Sequence, residues 1–329
     1  MKRNYYIMNS GRLKRKDNTL YFETEQGSKA IPVNDVESVL IYGEVDMNTK
    51  ALNFLSQNNI MAHIFNYYGY YSGTFYPREK YNSGYLIIQQ AKHNIDNEKR
   101  CYIAREILYS ASYNIVKNIK HYEDKDIKLK EIIEKIEKLR QNLLTAFDIP
   151  TIMGIEGNIR QLYYESIPII IGERFEFKER VKRPPNNPMN ALISFGNSVM
   201  YTTVLGEIYN TQLNPTISYL HQPGERRFSL ALDVAEIFKP IIVDRVIFKI
   251  INEGIIKESD FLKELEYCYL NDEGRKKFLR EYENKLSSTI HHKKLDREVS
   301  YRTLIRLELY KLIKHLIEED KYEGFKMWW

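Results

Sequence analysis

The chain has 329 residues, of which 43% are apolar and 28% charged, so it can bury two cores and does not have the composition of a disordered protein. Its formal net charge is +5 and its two cysteines, Cys101 and Cys268, are far apart, which excludes CxxC zinc and redox motifs and fits a reducing compartment. Met1 to Lys16 is basic without an apolar run, and no apolar stretch approaches the roughly 20 residues that cross a bilayer. The expectation is therefore a soluble, cytoplasmic protein with no membrane segment.

The first part of the chain has the short apolar runs and turn signals of β-structure. Tyr5 to Met8 reads as a strand ending at the turn Asn9-Ser10-Gly11. Thr19 to Thr24 follows as a strand, and Glu25-Gln26-Gly27-Ser28 as a turn. Ala30 to Val33 and Val36 to Tyr42 continue the pattern. Asn48 to Gln57 reads as a short amphipathic helix capped by Asn48, with Ala51, Leu52 and Leu55 on one face. Ile60 to Phe65 and Tyr71 to Tyr76 read as two more strands, and the polar stretch from Pro77 reads as a linker over 77–82.

Past residue 83 the apolar period lengthens to that of a helix. Ile103, Ile107, Ala111, Ile115 and Ile119 share a face, as do Ile132, Ile133, Ile136, Leu139 and Leu143. The polar stretch His121 to Asp126 makes these two helices a hairpin, and Asp148-Ile149-Pro150 ends it before a new helix near Thr151. Lys182 to Pro188 is a proline-rich loop. Helical patterns resume at Met189 and Ser229, with Ser229 as a cap, and run on through Arg302 to Ile317. The fold class is α+β: a small N-terminal β domain over 1–80 and a larger all-α domain over 81–329.

The sequence lacks a P-loop, a GxSxG elbow and an HExxH pair, so nucleotide hydrolysis, serine-hydrolase and zinc-peptidase chemistry have no support. Three places can carry chemistry. Glu156 lies between Gly154 and Gly157 in an apolar helical pattern, where each glycine costs up to about 1 kcal/mol relative to alanine. Such a pair suggests close approach to the backbone, and Arg160 and Tyr163 share the face of Glu156. His221 stands where an apolar stretch breaks into Pro223-Gly224. Asp233 and Glu236 lie one turn apart among Leu, Val, Ala, Ile and Phe, and two acids buried there need a cation: Arg245, Arg227 or a metal ion. The bland readings are a surface Glu156–Arg160 pair, a packed histidine and an ordinary salt bridge. Taken together, Glu156, His221 and Glu236 form a mixed oxygen and nitrogen donor set that suits Mg2+ or Mn2+, and such an ion can polarise a phosphodiester.

Basic charge is concentrated towards the C-terminus. From Arg275 to His315 there are twelve Lys or Arg against five Asp or Glu, a stripe that can meet phosphates or simply be a solvated helix surface. From charge and position, the DNA-binding candidates are Arg183, Arg227, Arg245, Lys293, Lys294, Arg297, Arg302 and Arg306, with Arg275, Lys276, Lys277 and Arg280 beside them. The 26 tyrosines serve either as core residues or as stacking and phosphate-bonding groups.

Several runs in this order resemble the CRISPR-associated protein one family. They are Ile155-Glu156-Gly157, Arg183-Pro184-Pro185 with Pro188-Met189-Asn190-Ala191-Leu192, His221, Leu232-Asp233-Val234-Ala235-Glu236 and Ile242-Val243-Asp244-Arg245, with Ser300-Tyr301-Arg302 and Trp328-Trp329 behind them. The resemblance implies a metal-dependent DNA endonuclease and integrase that inserts captured fragments as new spacers into a CRISPR array. In that reading a 3′-hydroxyl attacks a phosphodiester of the repeat. It implies metal ligation by Glu156, His221 and Glu236, with Asp233, Tyr201 and Asp244 as further site candidates. It also implies a homodimer built through the N-terminal β domain, a complex with CRISPR-associated protein two, and double-stranded DNA, both prespacer and CRISPR repeat, as substrate. The alternatives are a structure-specific, metal-dependent repair nuclease using the same ligands and a non-catalytic DNA-binding scaffold.

Overall fold

The computed structural model describes residues 2–182, 184–224, 227–264 and 267–328. The chain divides between Asn82 and Ser83 into two compact units. The first holds β1 (Arg3–Ile7), β2 (Gly11–Lys16), β3 (Thr19–Thr24), β4 (Gly27–Ile31), β5 (Val36–Ile41), β6 (Val45–Met47), α1 (Thr49–Gln57), β7 (Met61–Phe65) and β8 (Tyr71–Phe75). One sheet has the order β1-β5-β7-β8, parallel except for the β7–β8 hairpin; the other has the order β4-β3-β2-β6. Leu13, Leu20, Val36, Val39, Leu55, Ile60 and Ala62 have no exposed surface and make one core. Asn48 caps α1, its side chain accepting from the Ala51 N–H at 3.0 Å.

Two features of this unit escape periodicity. The strand β2 is Gly11-Arg12-Leu13-Lys14-Arg15-Lys16, and only Leu13 is buried. One inward side chain leaves no apolar alternation to read, and the strand is fixed by pairing with β3 and β6. Gly27 and Ser28 belong to β4 and not to the preceding turn, because they pair with Thr24 and Glu23.

The second unit is mostly helical: α2 (Gly84–Ile95), α3 (Asn97–Lys120), α4 (Ile127–Asn142), α5 (Ile149–Ile171), α6 (Pro188–Tyr209), α7 (Ser229–Phe238), α8 (Arg245–Asn252), α9 (Asp272–Ser287) and α10 (Tyr301–Leu316). Two short hairpins interrupt it, β9 (Phe261–Glu264) with β10 (Tyr267–Leu270), and β11 (Thr289–His292) with β12 (Arg297–Ser300). The helix α3 packs against α2, α4, α5 and α7. Helix starts are set by side-chain caps: Asp148 accepts from Thr151 N–H at 2.8 Å, and Asn187 from Asn190 N–H at 2.8 Å. Asp148 thus opens α5, with Pro150 in its first turn, and does not merely end the preceding hairpin. No such bond caps α7; Ser229 is its first residue, and its hydroxyl donates to the Thr216 carbonyl at 3.0 Å.

Between α7 and α8 the chain makes one turn of π-helix, Pro240–Asp244. It lies against α6, where a Cβ on Gly196 would stand 2.5 Å from Val243 Cγ1 and 2.9 Å from Phe278. The glycine lets the two segments approach, and that approach sets where Asp244 emerges. No helix among the described residues is long and apolar enough to cross a membrane.

Candidate functional site

Glu156 and Arg160 stand one turn apart on α5, and Asp233 and Glu236 one turn apart on α7. The segment after α6 runs back over the start of α7. Asn94 donates to the Ser218 carbonyl at 2.6 Å, Arg100 to that of Tyr219 at 2.9 Å, and the Leu230 N–H to that of Pro215 at 3.0 Å. This anchoring delivers three consecutive N–H groups to one fully buried carboxylate. Asp233 Oδ2 accepts from Tyr219 at 2.6 Å and Leu220 at 3.0 Å, and its Oδ1 accepts from His221 N–H at 2.9 Å. The same Oδ1 accepts from His221 Nδ1 at 2.8 Å.

Asp233 therefore fixes both the backbone and the ring of His221. With its proton on Nδ1, the ring presents the Nε2 lone pair, and Nε2 has no hydrogen bond among the described residues. A carboxylate behind a histidine in this way is the usual support of a metal-ligating imidazole. Burial works against the imidazolium, but the hydrogen bond and charge of Asp233, then the charge of Glu236, outweigh it, and His221 titrates above its ordinary value.

The two glutamates are joined through one guanidinium. Arg160 Nε donates to Glu156 Oε1 at 2.9 Å, and its Nη2 donates to Glu236 Oε2. Lys239, one turn on from Glu236, holds the other oxygen at 2.5 Å. Burial would raise the Glu236 carboxyl, yet Lys239, Arg160 and His221 hold it down at about 2. The cation opposite these acids is thus Arg160 with Lys239, not Arg245 or Arg227. Among the described residues Asp233 is met by backbone N–H groups and His221 and by no Lys or Arg, because the return of the 214–221 segment brings donors that no local spacing announces.

A third acid completes the cluster. Tyr163 donates to Asp244 Oδ2 at 2.8 Å and accepts from Asn118 at 3.0 Å. Burial pushes the Asp244 carboxyl from 3.8 up to about 6, although Arg160, the Tyr163 hydroxyl and Lys239 pull the other way. In folding terms the sign is unfavourable to the carboxylate. Between about pH 4 and pH 6 the folded chain keeps a proton that the unfolded chain has lost, so stability falls as pH rises across that window. Asp244→Asn removes the fall while keeping an acceptor for Tyr163. It should match the unchanged chain near pH 4 and exceed it at pH 7.5 by about 3 kcal/mol. Urea unfolding at both pH values checks this, and equal stability at pH 7.5 would refute it.

Other sequence candidates fall elsewhere. Gly154 and Gly157 have nothing within 4 Å of where a Cβ would stand, so the close approach expected beside Glu156 is made by no described group of this chain. Tyr201 is buried on α6. Arg183 lies outside the described residues. Arg227 is exposed beside the Phe228 ring, 5.0 Å from its centroid. Lys293, Lys294 and Arg297 are exposed on the β11–β12 hairpin. Much of the stripe is neutralised within the chain: Arg302 meets Glu283 and Glu207, Arg306 meets Glu207 at 2.7 Å, and Arg275 is itself buried beside Asp272.

The donor set of Glu156, His221 and Glu236 fits a hard or borderline divalent ion in chemistry, with two carboxylates and an oriented imidazole. The set is not preassembled: no group of three or more His, Cys, Asp or Glu is drawn together as a cage among the described residues, and Arg160 stands between the two glutamates. An ion would have to take the place of that guanidinium.

The family described as CRISPR associated protein Cas1 matches residues 5–284 of the chain. A CRISPR-associated endonuclease Cas1 of Thermodesulfovibrio yellowstonii is 53% identical over 99% of this chain and 100% of its own. A second, from Clostridium perfringens, is 52% identical over 100% of both. Among solved structures, a Cas1 protein from Thermotoga maritima superposes with a TM-score of 0.89 at 45% identity, covering 99% of this chain and 100% of its own. A casposase bound to integration product shares the fold, with a TM-score of 0.86 at 20% identity over 98% of this chain and 92% of its own.

Proposed function

The chain belongs to the CRISPR-associated Cas1 family of endonucleases, and on that premise we propose that it is a divalent-metal-dependent DNA endonuclease and integrase that inserts captured fragments as spacers into a CRISPR array. The observation that carries this is His221, held by Asp233 with no hydrogen bond to Nε2 among the described residues and within the field of Glu236, which Arg160 ties to Glu156. A scaffold that only bound DNA would have no use for that oriented lone pair.

Glu156, His221 and Glu236 would hold Mg2+ or Mn2+, which when bound withdraws charge from a phosphoryl oxygen. The share of the chain itself is positioning. Asp233 keeps His221 in one tautomer and one orientation. Tyr163 and Asp244 back the helix face that carries Arg160 and Glu156. In strand transfer a 3′-hydroxyl attacks phosphorus and a 3′-oxygen leaves, so one phosphodiester is made for each one broken. The balance needs no nucleotide hydrolysis, consistent with a sequence that lacks a P-loop. In this reading the protein acts in the cytoplasm as a homodimer, and the partner is the small Cas2 protein. One solved relative of this fold is a Cas6-RT-Cas1–Cas2 complex. A metal-dependent repair nuclease using the same residues is the second reading, since cleavage and strand transfer need the same phosphate chemistry.

The test gives the chain and Cas2 a short duplex with free 3′-ends, a supercoiled repeat plasmid and Mg2+ or Mn2+. Joined product is expected from the unchanged chain, with a loss of at least about 100-fold in Glu156→Ala, His221→Ala and Glu236→Ala while DNA binding persists. Full activity in all three variants overturns the site. Cleavage without joining favours the repair nuclease.

A further inference from the structure

The cations of α8 and α9 are paired almost throughout. On α9, Arg275 meets Asp272 at 3.5 Å, Lys276 meets Glu273 at 2.7 Å, Lys277 meets Asp260 at 2.7 Å and Arg280 meets Glu281 at 3.4 Å. On α8, Lys249 bridges to Glu281 of α9 at 2.8 Å, and this bridge reveals the register of the two helices. One turn back from Lys249 on α8 is Arg245, and one turn forward from Glu281 on α9 is Lys285. Arg245 and Lys249 are the charges that Lys285 faces. Lys249 is neutralised, but neither Arg245 nor Lys285 has a carboxylate partner among the described residues.

The Lys285 ammonium sits instead over the Tyr301 ring at the start of α10, 3.8 Å from its centroid. Tyr122, just past α3, lies within the field of Arg245. Two half-buried cations thus stand on neighbouring turns of α8 and α9, one of them over an aromatic ring, with no carboxylate partner among the described residues. Burial, and then the charges of Arg245 and Lys249, push Lys285 down to about 8. Facing like charges cost free energy, and a bound anion would relieve it. Arg245 directly follows Asp244, so this pair adjoins the candidate site, whereas Lys293 and Lys294 stand out on the β11–β12 hairpin.

We infer that Arg245 and Lys285 form a phosphate-binding notch that takes one phosphodiester of a DNA strand held next to the candidate site. The inference rests on the reading of the chain as a DNA enzyme. The planar fork of Arg245 suits two phosphate oxygens, and the Lys285 ammonium serves as a point charge.

The test measures duplex affinity across a range of salt for the unchanged chain, Arg245→Gln, Lys285→Gln and Lys285→Arg. Either glutamine variant should lower the log–log salt slope by about 1, and Lys285→Arg should restore it. Thermal melting of each variant reports whether the fold survives. In parallel, lysine acylation read by mass spectrometry should find Lys285 more reactive than the exposed lysines at mildly alkaline pH. A short duplex should protect it, and inorganic phosphate should protect it only at much higher concentration. Unchanged slopes in folded variants, with Lys285 acylated equally fast under bound duplex, overturn the notch. Protection by inorganic phosphate but not by duplex overturns the assignment to a DNA strand. Loss of all duplex binding by the unchanged chain would sink the DNA-enzyme reading together with it, whereas normal binding with an unchanged slope sinks the notch alone.

Discussion

Replacing Asp233 with alanine is expected to cost about 3–5 kcal/mol of folding stability and to abolish activity even where the chain stays folded. The carboxylate has no exposed surface, and it accepts from three consecutive backbone N–H groups and one imidazole. Alanine leaves those buried donors without an acceptor, at about 1–3 kcal/mol each before relaxation. The damage should be local first. The Tyr219, Leu220 and His221 amides, slow to exchange in the unchanged chain, should exchange faster by orders of magnitude, while amides of the N-terminal sheets stay protected. Asp233→Asn keeps one of the two oxygens and so should fall between. Its NH2 must face donors where an oxygen stood, which sets His221 loose or leaves two amides unbonded. Urea unfolding with amide exchange measures both effects, and an Asp233→Ala chain within about 1 kcal/mol of the original would refute the role.

That role shows how far the amino-acid sequence reaches. The two acids on α7 are visible as a pair one turn apart in an apolar helix, and so is their need for compensation. What compensates them is not visible, because Tyr219–His221 reaches Asp233 only after the 214–221 segment folds back, and α2 and α3 hold it there. Likewise Arg160 is readable as a partner of Glu156 from its spacing, but its second bond, to Glu236, depends on how α5 and α7 are placed around α3. Lys239 was within reach of a local reading, standing one turn from Glu236. The strand β2 was not, since five of its six residues are not buried. Local signals that serve one helix or one hairpin are legible. Contacts that join distant segments are legible only as unpaired demands, such as a buried acid lacking a cation.

The basic stripe shows the same limit from the side of charge. Counting charges from Arg275 to His315 suggests a continuous phosphate footprint, but Glu207 alone, on α6, answers both Arg302 and Arg306. Net charge along a sequence includes cations that the fold has already neutralised. The cations that the fold leaves without a carboxylate among the described residues are Arg245 and Lys285, and Lys293, Lys294 and Arg297 stand exposed on a hairpin.

Arg160→Ala should show the largest response to metal. In the unchanged chain this guanidinium links Glu156 to Glu236, with side-chain exposures of 24% and 9%. Removing it leaves Glu236 with Lys239 and the charge of His221, and Glu156 with no cation among the described residues, at about 3 kcal/mol for breaking a largely buried pair. Glu236 should then titrate above its present value near 2. Its stabilising contribution is fully present above the ordinary carboxylate pKa and lost as pH falls towards 2, so the variant's penalty should shrink over that window. A divalent ion that binds Glu156, His221 and Glu236 has to displace the guanidinium in the unchanged chain but not in the variant. Added Mn2+ should therefore raise the melting temperature of Arg160→Ala more than that of the original. Saturation at about 100 times the dissociation constant contributes about 2.7 kcal/mol, several degrees for a chain of this size. Arg160→Lys, which keeps a cation, should respond less than Arg160→Ala, and Arg160→Ala with His221→Ala should lose most of the response. Equal Mn2+ shifts in the original and in Arg160→Ala would mean that the guanidinium and the metal do not compete, and that the two glutamates are held together for a reason other than binding an ion.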